Sequence, residues 1–199
     1  QEDMKVFAIC SASSDARLRV ASFSVPPSKT KSKIVSCPHG QHALGGGLGI
    51  ATSPISGVYE EGSGPLDKSK TVGGTSTGDS PRAWEVAVYN GFRVSRKFQA
   101  LVVCSKQTKP HIVADEVPVA TSTDVEVAAN CPAGQRALGG GVLALGKPSP
   151  ELQFEENGPL AAGGTTATTN DGDVPISWDG DVYNRSANTR SFKTLAVCA

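Results

Sequence analysis

Methionine occurs once in this 199-residue chain, and no apolar run reaches the roughly 18–20 residues that a membrane-spanning helix needs. A spanning helix is therefore not expected. A surplus of one charge is missing too. Nineteen Lys and Arg balance nineteen Asp and Glu, which removes the basic footprint of a nucleic-acid binder. Long helical periodicities are few. With 22 Gly and 13 Pro, the chain carries turn and strand signals instead.

What is present is a repeat. Cys37-Pro38-His39-Gly40-Gln41-His42-Ala43-Leu44-Gly45-Gly46-Gly47 returns as Cys131-Pro132-Ala133-Gly134-Gln135-Arg136-Ala137-Leu138-Gly139-Gly140-Gly141, 94 residues later. Trp84 returns as Trp178, Val88-Tyr89-Asn90 as Val182-Tyr183-Asn184, Phe98 as Phe192 and Cys104 as Cys198. A fixed period of this kind sets the architecture before any local reading. It divides the chain into residues 11–104 and 105–199. Residues 1–10 are left as a surplus, because Met4–Cys10 aligns with Phe98–Cys104 and Phe192–Cys198 as a third copy of the closing strand.

Each unit reads as five or six strands. Arg17–Val25 and His111–Val119 alternate imperfectly, as a bulged strand would. Cys-Pro-x-Gly makes a tight turn, with Pro fixing φ and Gly free to take a positive one. The glycine triplet marks a close approach by another group, expected to be Trp84 or Trp178. Ala83–Tyr89 alternates as a half-buried antiparallel strand, and Asn90-Gly91 is a strong hairpin signal. The expected fold is all-β: two pseudo-symmetric antiparallel units forming a sandwich, barrel or prism-like body.

The order Cys-Pro-x-Gly, Leu-Gly-Gly-Gly, Trp with Tyr-Asn, then Ala-Val-Cys resembles a tandem β module of secreted bacterial proteins, mostly of uncharacterised function. The likeness spans nearly all of residues 1–199. It implies an extracellular β-rich unit and carries no catalytic or binding residues with it. Five Cys at repeat-locked positions also favour an oxidising compartment. A first residue other than Met is expected where a leader has been removed or a start chosen by cloning.

Two pairings respect the repeat: Cys37–Cys104 with Cys131–Cys198, or Cys10–Cys37 with Cys104–Cys131. The first is expected, since each complete unit then closes itself and Cys10 stays with the surplus strand. Asn184-Arg185-Ser186 is an N-glycosylation sequon, usable in a secreted eukaryotic protein.

The catalytic strings are weak. Gly74-Thr75-Ser76-Thr77-Gly78 matches a nucleophile elbow but lacks a strand before it and a helix after it. Gly40–Gly47 and Gly134–Gly141 have phosphate-loop glycine spacing without the Lys and Ser/Thr that grip phosphate. Glu60-Glu61 and Glu155-Glu156 are neighbours in sequence, so they point to opposite faces of a strand and poorly suit a glycosidase pair. His39, His42 and His111 have counterparts Ala133, Arg136 and Arg17, which argues for surface histidines. Asp171, Asp173, Asp179 and Asp181 could offer oxygens to calcium, but no EF-hand spacing fits. A solvated acidic rim is the simpler reading.

No metal or cofactor is expected, nor a membrane span or nucleic-acid partner. The expectation is a secreted, non-enzymatic binding module for carbohydrate or a cell-surface component. Its candidate ligand residues are Trp84, Tyr89, Asn90, Trp178, Tyr183, Asn184, Asp79 and Asp173, with loops 57–80 and 146–173. The alternative is a structural subunit of an extracellular assembly, self-associating through residues 1–10.

Overall fold

The computed structural model describes residues 6–50, 57–166 and 168–199. It is all-β, and no helix occurs among the described residues. The first six strands are β1 (Arg17–Val25), β2 (Lys29–Ser36), β3 (His42–Ile50), β4 (Val58–Leu66), β5 (Ala83–Asn90) and β6 (Arg96–Ser105). The second six are β7 (His111–Val119), β8 (Asp124–Asn130), β9 (Ala137–Ala144), β10 (Leu152–Ala161), β11 (Pro175–Asn184) and β12 (Arg190–Cys198). β1 and β7 start 94 residues apart, as do β6 and β12.

All pairings are antiparallel. β1-β6-β3 is one three-stranded sheet and β10-β11-β8 another. The remaining strands, β2-β5-β4 of the first unit and β9-β12-β7 of the second, join in one six-stranded sheet. Apolar residues alternating along these strands fill two sandwich cores. Val35, Trp84, Val86, Ala100 and Val102 build the first, and Val119, Val142, Leu152, Val182 and Phe192 the second.

Each unit is fastened in the same two ways. Disulfides join Cys37 to Cys104 and Cys131 to Cys198, leaving Cys10 free and exposed. Closing loops of this length stabilises each unit by roughly 3–5 kcal/mol in the chain-entropy model. The hairpin asparagines are buried clamps. Asn90 Nδ2 donates to the Val25 and Val94 carbonyls, and Asn184 Nδ2 to those of Val119 and Asn188, all at 2.9 Å.

Residues 6–10 form no strand, which corrects the expected closing strand for that part of the segment. β6 lies between β1 and β3, and β12 between β7 and β9. Residues 6–10 hold no place in any of the three described sheets. Met4 and Lys5 of that expected strand, and Ala167 of the second loop, lie outside the described residues.

Candidate functional site

The two units meet where β4 pairs with β9, Gly62 opposite Leu143 and Ser63 opposite Val142. The approach is close enough to need glycine. A Cβ on Gly141 would overlap the Ser63 carbonyl oxygen, and one on Gly139 the Leu44 carbonyl oxygen. The loop after β4 then folds over the second unit. Thr77 Oγ1 donates to the Ala114 carbonyl and accepts from its N–H, while Gly78 N donates to the Ile112 carbonyl. Lys193, 6% exposed, donates to the carbonyls of Thr75 (2.8 Å) and Val72 (3.2 Å) and pairs with Glu116. Leu66, Ala83, Ile112, Leu143 and Leu195 close together beneath it.

Each unit has the faces used at this seam, but in each unit one of them is open. On β1-β6-β3, Leu18 is 60% and Val20 48% exposed, whereas Ile112, the repeat counterpart of Leu18, is 0% exposed. Leu101 and Val103 are half-buried; their counterparts Leu195 and Val197 are fully buried. Gly45 and Gly47 would each carry a Cβ into open space. The glycine triplet is thus crowded by a neighbouring unit in one copy and uncovered in the other.

The complementary face is the β10 edge with the loop after it, which has no second unit against it and is partly covered by residues 6–9. Trp84 Nε1 donates to Ser63 Oγ (2.9 Å), and Trp178 Nε1 donates to Asn157 Oδ1 (2.7 Å), the same position one repeat on. Trp84 is buried partly by Val197 and Leu138 of the second unit. Trp178 lacks such a neighbour and is half-buried. Here the terminal segment stands in. The Phe7 ring lies 3.6 Å from where a Gly158 Cβ would sit, just as Leu195 packs 3.3 Å from the same point on Gly64. Phe7, Leu101 and Leu195 are repeat counterparts. Residues 6–9 line a small cavity with Pro159, Asn170, Asp171 and Pro175.

The charges of the two ends differ. Residues 11–104 hold eleven Lys/Arg against six Asp/Glu, and residues 105–199 hold seven against eleven. The overall neutrality hides a basic unit followed by an acidic one.

Most residues expected to touch a ligand are occupied otherwise. Trp84 is buried over Gly46, and Asn90 and Asn184 are the buried clamps, so these three are corrected to structural roles. The Asn184 Oδ1 also accepts from Ser186 N and Oγ. A glycan on this sequon is incompatible with the clamp. Asp79 and Asp173 accept from Ser76 N and Asn170 N, closing turns (2.8 and 2.7 Å). Tyr89 and Tyr183 are half-exposed, the first beside Tyr59 and the second under Arg185. Ser76 lies in a turn between β4 and β5, without the strand–helix context of a nucleophile elbow. His42 bonds Ser80 Oγ through Nδ1 at 2.7 Å. Among the described residues, the three histidines do not converge on a metal-sized site.

A cleft of about 690 Å³ opens between β4 and β10, lined by Tyr59, Glu60, Glu61, Phe154, Glu155 and Arg185. Glu61 is buried with neither carboxylate oxygen hydrogen-bonded, and burial pushes it up to about 8. Asp171 and Asp173 are exposed and stand apart from Asp179. Asp179 instead gathers with Glu126 and Glu156, neither visible as its partner without knowing the strand register. Burial, then the neighbouring Glu126, pushes Asp179 up to about 7.

No family model matches this chain, and neither a curated protein nor a solved structure is found to match it.

Proposed function

We propose that this chain is a secreted, non-enzymatic β-repeat module that docks head to tail with units of its own kind. In a solution of this chain alone, the available unit belongs to a second copy. The acidic β10 edge and its following loop engage the basic, apolar β1-β6-β3 face of the next molecule. The observation that carries this reading is the paired exposure of Leu18 and Ile112, one position in two copies of the same face. The covered copy is a template for the open one. Exposed contiguous apolar surface at an unprotected edge is a recurrent mark of an interaction site, and a face that repeats without closing makes a heterologous contact. Opposite net charges on the two ends favour that orientation and speed encounter. The two disulfides fit an oxidising setting, which supports secretion. The sugar-binding reading loses Trp84 as a stacking platform.

Sedimentation velocity over a wide concentration range tests this reading. The wild-type chain is expected to grow in mass with concentration. Leu18→Asp, at an exposed position, is expected to sediment as a monomer with an unchanged melting temperature. A wild-type chain that stays monomeric at the highest concentration sinks the proposal.

A further inference from the structure

On the outer side of β10-β11-β8, three strands bring carboxylates to one point. Asp181 of β11 lies opposite both Glu126 of β8 and Glu156 of β10, and Asp179 follows two residues away on the same face. One oxygen each from Glu126, Glu156 and Asp179 lies within 4.8 Å of the others. Oxygens sharing one Ca²⁺ at about 2.4 Å can be at most about 4.8 Å apart, so the spread is that of a single coordination sphere.

The second observation is independent of the clustering. Asp179 is 1% exposed, and neither of its carboxylate oxygens has a well-formed hydrogen bond; the groups beside it are the Glu126 carboxyl and the Gly180 N–H. A buried carboxylate with no well-formed hydrogen bond, set beside a second carboxyl, is costly and calls for a further partner. No Lys or Arg among the described residues is paired with these three groups. The side chain is directed into the cluster, where Glu156 also accepts from Thr166 Oγ1. The first unit has nothing similar: Ser32, Gly62 and Glu85 hold the three counterpart positions, and the Ser32 hydroxyl bonds Glu85. The three carboxylates are therefore not a requirement of the fold.

We propose that Glu126, Glu156 and Asp179 form a calcium site on the second unit. All three donors are hard oxygens, which selects alkaline-earth ions over softer metals. The exposed Glu126 leaves one side open to water, suiting the six to eight oxygens of Ca²⁺ better than the tight octahedron of Mg²⁺. The ion would offset the charge of the three carboxylates and tie together the three strands of a sheet that has no neighbouring unit on its β10 edge.

The test is titration of CaCl₂ into the chelator-treated full chain, by calorimetry and by thermal melting. Expected are one saturable site and a melting temperature raised by about 5–10 °C at calcium one hundred times the dissociation constant. Asp179→Asn is expected to lose at least about tenfold in affinity. That variant should melt above the wild type in chelator, since it removes one of the crowded charges, which distinguishes a lost ligand from a damaged fold. Asp171→Asn, in the exposed loop, should keep the full calcium response. No saturable heat, an equal shift with MgCl₂ at matched ionic strength, or an undiminished response in Asp179→Asn would each overturn the site.

Discussion

The two glycine triplets, Gly45–Gly47 and Gly139–Gly141, share sequence and fold but not surroundings. The second is buried against the Leu44 and Ser63 carbonyls; the first has half-open flanks and room for side chains at Gly45 and Gly47. Within each unit only the middle glycine is needed, since Trp84 covers Gly46 and Trp178 covers Gly140. The outer two glycines answer to a neighbouring unit. Their presence in an uncovered copy supports the proposal that this copy is a docking face.

The largest effect expected from breaking this comparison comes at those outer glycines. Gly141→Ala forces a methyl group into the Ser63 backbone, which cannot yield as a flexible side chain would. It should cost about 3 kcal/mol or more in denaturant unfolding. Gly47→Ala should change the monomer's stability by less than about 0.5 kcal/mol. Equal losses at both positions would contradict the difference in surroundings.

Next is Lys193, whose counterpart is Gln99. Lys193→Met removes a buried ammonium from two loop carbonyls, with an expected loss of about 1–3 kcal/mol. Gln99→Met should stay within about 0.5 kcal/mol. Hydrogen exchange would sharpen the point, because the Lys193 variant should also lose protection at Thr75 and Gly78 in the covering loop.

A smaller effect concerns the cleft. Glu61 has a folded-state value of about 8, raised by burial from 4.5. An acid raised in the folded state holds a proton that the unfolded chain has already released. Its contribution to stability is therefore greatest below pH 4.5 and falls as pH rises towards about 8. Glu61→Gln should flatten that decline and stabilise the chain at pH 8 by roughly 1–2 kcal/mol, below the full linkage value because the residue borders an open cleft. Measured unfolding free energies that decline equally in both proteins between pH 5 and 8 would contradict the assignment.

Much of the fold was legible in the residues. Alternation in Ala83–Tyr89, the Asn-Gly hairpin signal and the 94-residue offset led to the strands and to the two disulfides within units. Trp84 and Trp178 were also correctly expected beside the glycines. Their unequal exposure was not legible, since identical local sequences carry no record of which unit has a neighbour. The same holds for Leu18 and Ile112. Asn90 and Asn184 looked like ligand residues because polar groups near aromatic ones suit sugars; their burial depends on hairpin ends 65 residues away in sequence. Glu126 and Glu156 went unnoticed beside Asp179, since three strands in register bring them together. The closing-strand pattern at residues 6–10 misled for a related reason: β propensity describes a fit to a particular pleated surface, and that segment packs beside β10 without joining a sheet ladder.

The most direct measurement of the docking account is a mixing experiment on a Cys10→Ser background. One preparation carries Glu156→Cys and the other Gly49→Cys, the repeat counterparts of Gly62 and Leu143, which face each other across the internal seam. The proposal predicts that a short thiol-to-thiol cross-linker joins the two variants when they are mixed, and that neither variant alone forms homodimers. Cross-linking no better in the mixture than in either variant alone would contradict a head-to-tail contact built on the internal seam.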